Sequence, residues 1–187
     1  MEIGTEIIMS IEERDLLSEH FDILGNIKVL SLLPGTECMT TAQVADFYEV
    51  GLEAIKSLTK DHREELNLDG TYLASRSEIL NFLKGPVETV PGKTIITSEV
   101  DGKEYVFSNR GILLYPRRAV LKIGMLLRDS EVAKEVREQL IGIGDKARRG
   151  IDVEQQLMMN IGKAFASGNV TEVMKATAEY TAFKNTK

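Results

Sequence analysis

The stretch TTAQVADFYEVGLEAIKSLTKDHREEL, Thr40 to Leu66, decides the reading of this chain. Thr40 or Thr41 stands where a helix N-cap is needed, since a threonine hydroxyl takes a backbone N–H that the first turn leaves unpaired. Val44, Ala45, Phe47 and Tyr48 follow at helical spacing. Glu49-Val50-Gly51 breaks the run, and a second helix is expected from Leu52 through Leu66. Ala45 is small enough for a second helix to cross closely, and Ile55 is placed to lock the angle. That is the layout of a helix-turn-helix. An ordinary αα-hairpin uses the same small residue and the same turn, so spacing alone does not separate the two.

Outward on the N-terminal side, residues 5–32 read as helical, with Ile7, Ile8, Ile11, Leu16, Leu17, Phe21, Ile23 and Leu24 at three- and four-residue steps. Gly25 is expected to divide this arm, and a second helix would run from Ile27 to Leu33 until Pro34-Gly35 ends it. Residues 1–50 hold ten acidic and two basic side chains. An acidic face repels DNA, so the arm reads as a packing or dimerising element. On the other side, Asp69-Gly70 signals a turn that could make a short wing before a helix from about Ser75 to Leu83 that Ser75 or Ser77 caps. Gly85-Pro86 stops it.

Residues 86–98 read as a linker and a strand. Glu104–Phe107 and Ile112–Tyr115 complete a small β-hairpin or three-stranded sheet. Helices are expected again from Arg118 to Leu127 and after Asp129 or Ser130, the latter burying Val132, Ala133, Val136 and Leu140. Ile143–Gly150 is glycine-rich and basic and reads as a hinge before helices at about 152–166 and 170–184. The fold class is α+β, mostly α. The expected division is an arm at 1–35, a (winged) helix-turn-helix at 36–85, a small sheet with helices at 86–143, and a C-terminal helical hairpin at 144–187 serving oligomerisation.

TTAQVADFYEVGLEAIKSLTKDHREEL, together with LYPRRAVLKIGMLLRDSEVAKEVREQL at 114–140, resembles antirepressor-like, BRO-type DNA-binding regulators of Gram-positive bacteria and their phages. The match covers roughly residues 28–142, and the second block is the more distinctive. The resemblance implies a phage or prophage regulator that binds DNA through the first block.

The residues themselves supply candidates for DNA contact. On the second helix of the first block these are Glu53, Lys56, Ser57, Lys60 and Arg63, with Thr41 and Gln43 on the helix before it. Lys56 and Lys60 are four apart and share a face. Lysine and arginine reach phosphates or guanine edges, and serine or glutamine reads several bases. The other reading is a solvated face paired with Asp61, Glu64 and Glu65. Residues 110–150 hold ten basic and five acidic side chains. There Arg117, Arg118 and Lys122 form the other basic cluster, with the two arginines on a first helical turn after Pro116. Cations at a helix N-terminus oppose the macrodipole, so helix stability does not explain them. Phosphate contact is one reading, and an internal ion pair, for example to Glu99 or Asp46, is the other.

The net charge of −6 argues against a nonspecific nucleic-acid coat. Pro91-Gly92-Lys93-Thr94 lacks the earlier glycine of a phosphate loop, since Val87 holds that place. His20 and His62 have no metal-ligand spacing, and Cys38 is the single cysteine. No carboxylate pair stands out as acid and base, so no enzyme and no cofactor are expected. No transmembrane segment or signal peptide is read, and a cytoplasmic protein is expected. The leading function is a sequence-specific regulator that binds double-stranded DNA as a homodimer. The alternative is a modulator that captures a repressor or host protein, with the helix-turn-helix as scaffold.

Overall fold

In a computed structural model, residues 10–186 are described, the side chains of Ala147 and Arg148 aside. The chain runs α1 (Ile11–Leu17), a 3-10 turn (Ser18–His20), α2 (Ile23–Ile27), β1 (Cys38–Thr40), α3 (Thr41–Tyr48), α4 (Leu52–Asp61) and α5 (Arg63–Leu68). It continues with β2 (Tyr72–Ala74), α6 (Arg76–Leu83), β3 (Val87–Val90), β4 (Lys93–Thr97), β5 (Glu104–Ser108) and β6 (Ile112–Pro116). Three helices follow: α7 (Arg117–Leu126), α8 (Glu131–Ser167) and α9 (Val170–Asn185). The protein is α+β with helix predominating.

The caps are local chemistry. The Thr40 hydroxyl accepts the Gln43 N–H at 3.2 Å, and the Gln43 side chain returns to the Thr40 N–H at 2.8 Å, a reciprocal capping box. Ser75 and Glu78 form a second box at the start of α6. Helix α3 stops where Glu49 turns left-handed at φ 55°, so that the Val50 N–H reaches the Ala45 carbonyl at 3.0 Å. The helix expected from Leu52 to Leu66 is two, because His62 leaves helical geometry between α4 and α5.

The arm departs from expectation. Gly25 lies inside α2, and no helix forms from Ile27 to Leu33. Leu33 instead donates to the Cys38 carbonyl at 2.8 Å and accepts from Thr36 at 3.0 Å, closing a turn over Pro34-Gly35. Ile7 and Ile8 lie outside the described residues.

There are two three-stranded antiparallel sheets, with orders β1-β6-β2 and β3-β4-β5. Of the linker and strand expected at 86–98, the strand is β4 and the linker part is β3, the two forming a hairpin with Pro91-Gly92 as its turn. Strand β6 does not extend that meander. It pairs Met39 with Tyr115 on one side and Leu73 with Leu113 on the other. Gly111, at φ +122°, makes the crossing possible: a Cβ there would lie 2.1 Å from the Ala74 carbonyl oxygen. A core of Leu33, Ala74, Ile79, Leu83, Ile96, Phe107 and Leu114 holds α6 and the meander to the β1-β6-β2 sheet.

Helix α7 is the spine of the first unit: every residue from Ala119 to Met125 is buried. Tyr48 of α3 donates to the Val120 carbonyl at 2.7 Å, and Gly124 leaves the room its ring needs. Arg137, buried, donates to the Gly124 carbonyl at 3.0 Å and to that of Leu127, satisfying the orphan acceptors at the end of α7. Desolvation by burial outweighs the attraction of Glu138 and holds its guanidinium below its usual pKa.

The chain divides into two compact units at Leu140/Ile141, so three of the four expected segments share one body. Helix α8 is continuous through Gly142, Gly144 and Gly150, where a hinge was expected. None of these three glycines takes a positive φ, so helix costs them only entropy. The second unit is the hairpin of α8 and α9. Gly168 turns it at φ +68°, and Asn169 caps α9 by accepting from Thr171 and Glu172. Ala164 and Ala176 are its buried side chains among the described residues. Tyr180 donates to Glu154 at 3.3 Å, and Lys184 pairs with the same carboxylate.

Candidate nucleic-acid interface

Helices α3 and α4 pack against each other on Val44, Ala45 and Ile55, all buried. Ile55 is the one buried residue of α4. Everything else on that helix is exposed or half-buried, which leaves Glu53, Lys56, Ser57 and Lys60 facing solvent, with Arg63 exposed at the start of α5. Lys56 pairs with Glu53 at 2.6 Å within the helix. Lys60 and Arg63 have no ion pair or hydrogen bond among the described residues. Gln43 is half-buried, and its carbonyl oxygen is committed to the cap, which leaves its amide hydrogens for a ligand.

Below this face lies a cleft of about 640 Å³ between α4–α5 and the β2–β6 strands. Four sequence candidates meet in its wall: Thr41, Lys56, Lys60 and Arg63. Asn67, Thr71, Tyr72 and Tyr115 join them. All charged side chains that line it are cations. Tyr115 is fully buried and hydrogen-bonds Thr59 at 2.9 Å, and the Thr59 hydroxyl donates to the Ile55 carbonyl at 2.7 Å. This chain fixes the α4 backbone to β6 and holds the basic face in one orientation. Asn67, Thr71 and Tyr72 flank the Asp69-Gly70 turn, and the sequence pattern assigns them no role. Their place in the cleft comes from pairing β2 with β6, some 40 residues on, which no local pattern encodes.

The second basic cluster is met by carboxylates, the ion-pair alternative of the two readings. Lys122 is fully buried among carboxylates: Asp69 at 2.7 Å, Glu65 at 3.8 Å and Asp15 in close contact. Arg118 pairs with Asp69 at 2.8 Å and with Glu19, and Arg117 with Glu37 at 2.8 Å. Arg14 on α1 clasps Glu65 with two nitrogens, at 2.7 and 2.8 Å. The partners are therefore Asp15 and Glu19 of the arm, Glu37 before β1, Glu65 of α5 and Asp69 just after it, not Glu99 or Asp46. Burial alone would lower the Lys122 pKa, but hydrogen bonds to Asp15 and Asp69 outweigh it and raise it. Lys122 in turn holds Asp15 below its usual value. Burial would raise Glu65, and the Arg14 contact pulls it down instead. The acidity of the arm, read as a reason to keep away from DNA, is in part the counter-charge for α7.

Among the described residues no three His, Cys, Asp or Glu gather as a metal site. Cys38 is half-buried in β1, and burial raises its thiol pKa, the opposite of an activated nucleophile. No helix of the described residues is long and apolar enough to cross a membrane. Comparison with known protein families, with curated proteins and with solved structures finds no match.

Proposed function

We propose that this protein is a phage- or prophage-type regulator that binds double-stranded DNA sequence-specifically through α3 and α4. The observation that carries the reading is α4 itself: one buried anchor, Ile55, and an outward face with Lys56, Ser57 and Lys60 beside Arg63. A recognition helix needs this arrangement, since base-edge contacts require side chains that face solvent. Three cations supply little phosphate neutralisation in a chain of net charge −6. Affinity then comes from doubling the contacts in a homodimer on two half-sites.

The dimer contact is assigned to residues 151–184. The α8–α9 hairpin leaves Ile151, Val153, Met158, Met159, Phe165 and Met174 exposed, Phe165 at 65% and Met174 at 70%. Large apolar side chains at that exposure suit a protein partner. The same surface would serve the alternative, capture of a repressor or host protein.

The test is fluorescence anisotropy with duplex DNA from upstream of the protein's own gene, over a salt series. Binding whose log affinity falls linearly with log salt, and which Lys56→Ala/Lys60→Ala abolishes in a normally folded protein, supports the reading. Unchanged affinity in that double variant overturns it in favour of protein capture. Light scattering of the full chain against a truncation ending at Gly144 tests the dimer. A monomeric full-length protein that still binds its site tightly removes that part.

A further inference from the structure

We propose that the cleft between α4–α5 and the β2–β6 strands is a nucleotide site, with Tyr72 as the platform for a planar base and Lys60 and Arg63, joined by Lys56, as the phosphate ligands.

Size comes first: about 640 Å³ falls within the range of small-molecule sites. Charge comes second. The cleft has cations in its wall and no carboxylate, in a chain where acids outnumber bases 29 to 23. On α7 each of three cations is met by an acid. Lys60 and Arg63 have no such partner among the described residues, so the cleft selects an anion. An arginine fork beside a lysine suits phosphate oxygens.

The third observation is aromatic and polar together. Tyr72 sits in the same wall and is 39% exposed, so its ring is available to a flat partner. A base stacks on such a ring whatever its identity. Asn67 brings an amide that pairs with base edges. Thr71, 6% exposed, lines the cleft too, and its hydroxyl has no hydrogen-bond partner among the described residues. Buried polar atoms are nearly always satisfied, so an orphan here marks a wall that a polar ligand completes.

The nucleotide has two sources, a free mononucleotide or an unpaired residue of a DNA strand. The site itself does not depend on duplex recognition. Its consequence does: Lys56 and Lys60 belong to both surfaces, so nucleotide and duplex DNA exclude each other.

Titration calorimetry on the full-length chain tests this, using the four 5′-deoxynucleoside monophosphates, inorganic phosphate, and a mixed-sequence single-stranded 12-mer. Saturable one-to-one binding of a mononucleotide is expected. It should fall at least tenfold in Tyr72→Ala and in Lys60→Ala/Arg63→Ala, and survive in Tyr72→Phe. Thr71→Val should weaken binding while raising the melting temperature of the free protein. Binding of the single strand alone, with the same dependence on Tyr72, supports the site and assigns the strand as source. Three results overturn it: no binding of either probe, binding indifferent to Tyr72→Ala, or phosphate binding as tightly as the nucleotides. Duplex anisotropy in the same preparations keeps the two readings apart. Duplex binding without nucleotide binding removes the cleft site alone, and nucleotide binding without duplex binding removes the helix-turn-helix reading alone.

Discussion

Lys56, Lys60 and Arg63 stand on α4 and α5, and Arg117, Arg118 and Lys122 on α7. The two sets are equal in size, alike in residue type, and opposite in surroundings. The first is exposed, with one internal pair, Lys56 to Glu53. The second is met by Glu37, Glu19, Asp15, Glu65 and Asp69, with Lys122 fully buried. The difference lies in where the acids go. Helix α1 and the turn after it bring their carboxylates to α7, and α5 turns Glu65 inward, so none of these acids lines the α4 face. A cation is a ligand for something else only when the fold withholds its counter-charge.

The sharpest way to break this comparison is to remove one charge from each set. Lys122→Met keeps the apolar stem and leaves Asp69, Glu65 and Asp15 with less compensation. Breaking a buried pair this way costs about 3–5 kcal/mol. Lys60→Ala should stay within about 0.5 kcal/mol of the parent, as exposed substitutions do. Urea unfolding measures both. Equal losses would mean that the two sets are not different in kind.

Acid titrates the same contrast. Asp15 and Glu65 are held below their usual pKa values, so each contributes stability that is complete above the ordinary carboxylate range and is lost as pH falls through its depressed value. Lys122 is shifted upward, and its contribution is lost only at strongly alkaline pH. The urea midpoint should therefore be level through neutral pH and fall below about pH 4. In Glu65→Gln the fall should be shallower, from a lower plateau. A midpoint that rises on acidification contradicts the ion-pair account.

Sequence reading reached the near-neighbour features and stopped at the distant ones. The Thr40 cap, the α3–α4 turn, buried Ala45 and Ile55, and Ser130 at the start of α8 are set by residues within four or five positions. The β1-β6-β2 sheet joins residues near 39, 73 and 114, and the ion cluster joins 14, 65, 69 and 122. Periodicity carries no information on such pairings. One clue was present: three cations on the first turns of α7 oppose the helix dipole, and a fold that tolerates them supplies acids nearby. The glycines of α8 lie within continuous helix beside the boundary of the two units, and a glycine permits a hinge without requiring one.

A smaller effect is expected from the joint that carries both regions. A Cβ on Gly124 would lie 2.5 Å from the Tyr48 hydroxyl oxygen, which donates to Val120 one turn earlier on α7. Gly124→Ala should cost about 1–3 kcal/mol by overpacking, read as a drop in melting temperature. Adding Tyr48→Phe should recover part of it, because the closest atom is gone while the ring remains. An unchanged melting temperature would mean that α3 and α7 do not meet there.

The smallest effect sharpens the comparison most, because it concerns the acid that pairs with the exposed set among the described residues. Glu53 pairs with Lys56 at 2.6 Å, and its side chain is 84% exposed. A pair that open to water contributes little, so Glu53→Ala should leave stability within about 0.5 kcal/mol. On the proposed DNA-binding function, its consequence depends on what the carboxylate does. As a counter-ion it competes with phosphate for Lys56, and its removal should raise affinity for every duplex by a similar factor and steepen the salt dependence. As a base reader it accepts from a cytosine amino group, and its removal should lower affinity for the preferred site and relax selection at one position. The geometry favours the counter-ion, since the carboxylate oxygen already holds the Lys56 ammonium. Anisotropy with the preferred duplex and with single-base variants decides it: a uniform gain is expected, and a loss confined to one base pair would make Glu53 a reader.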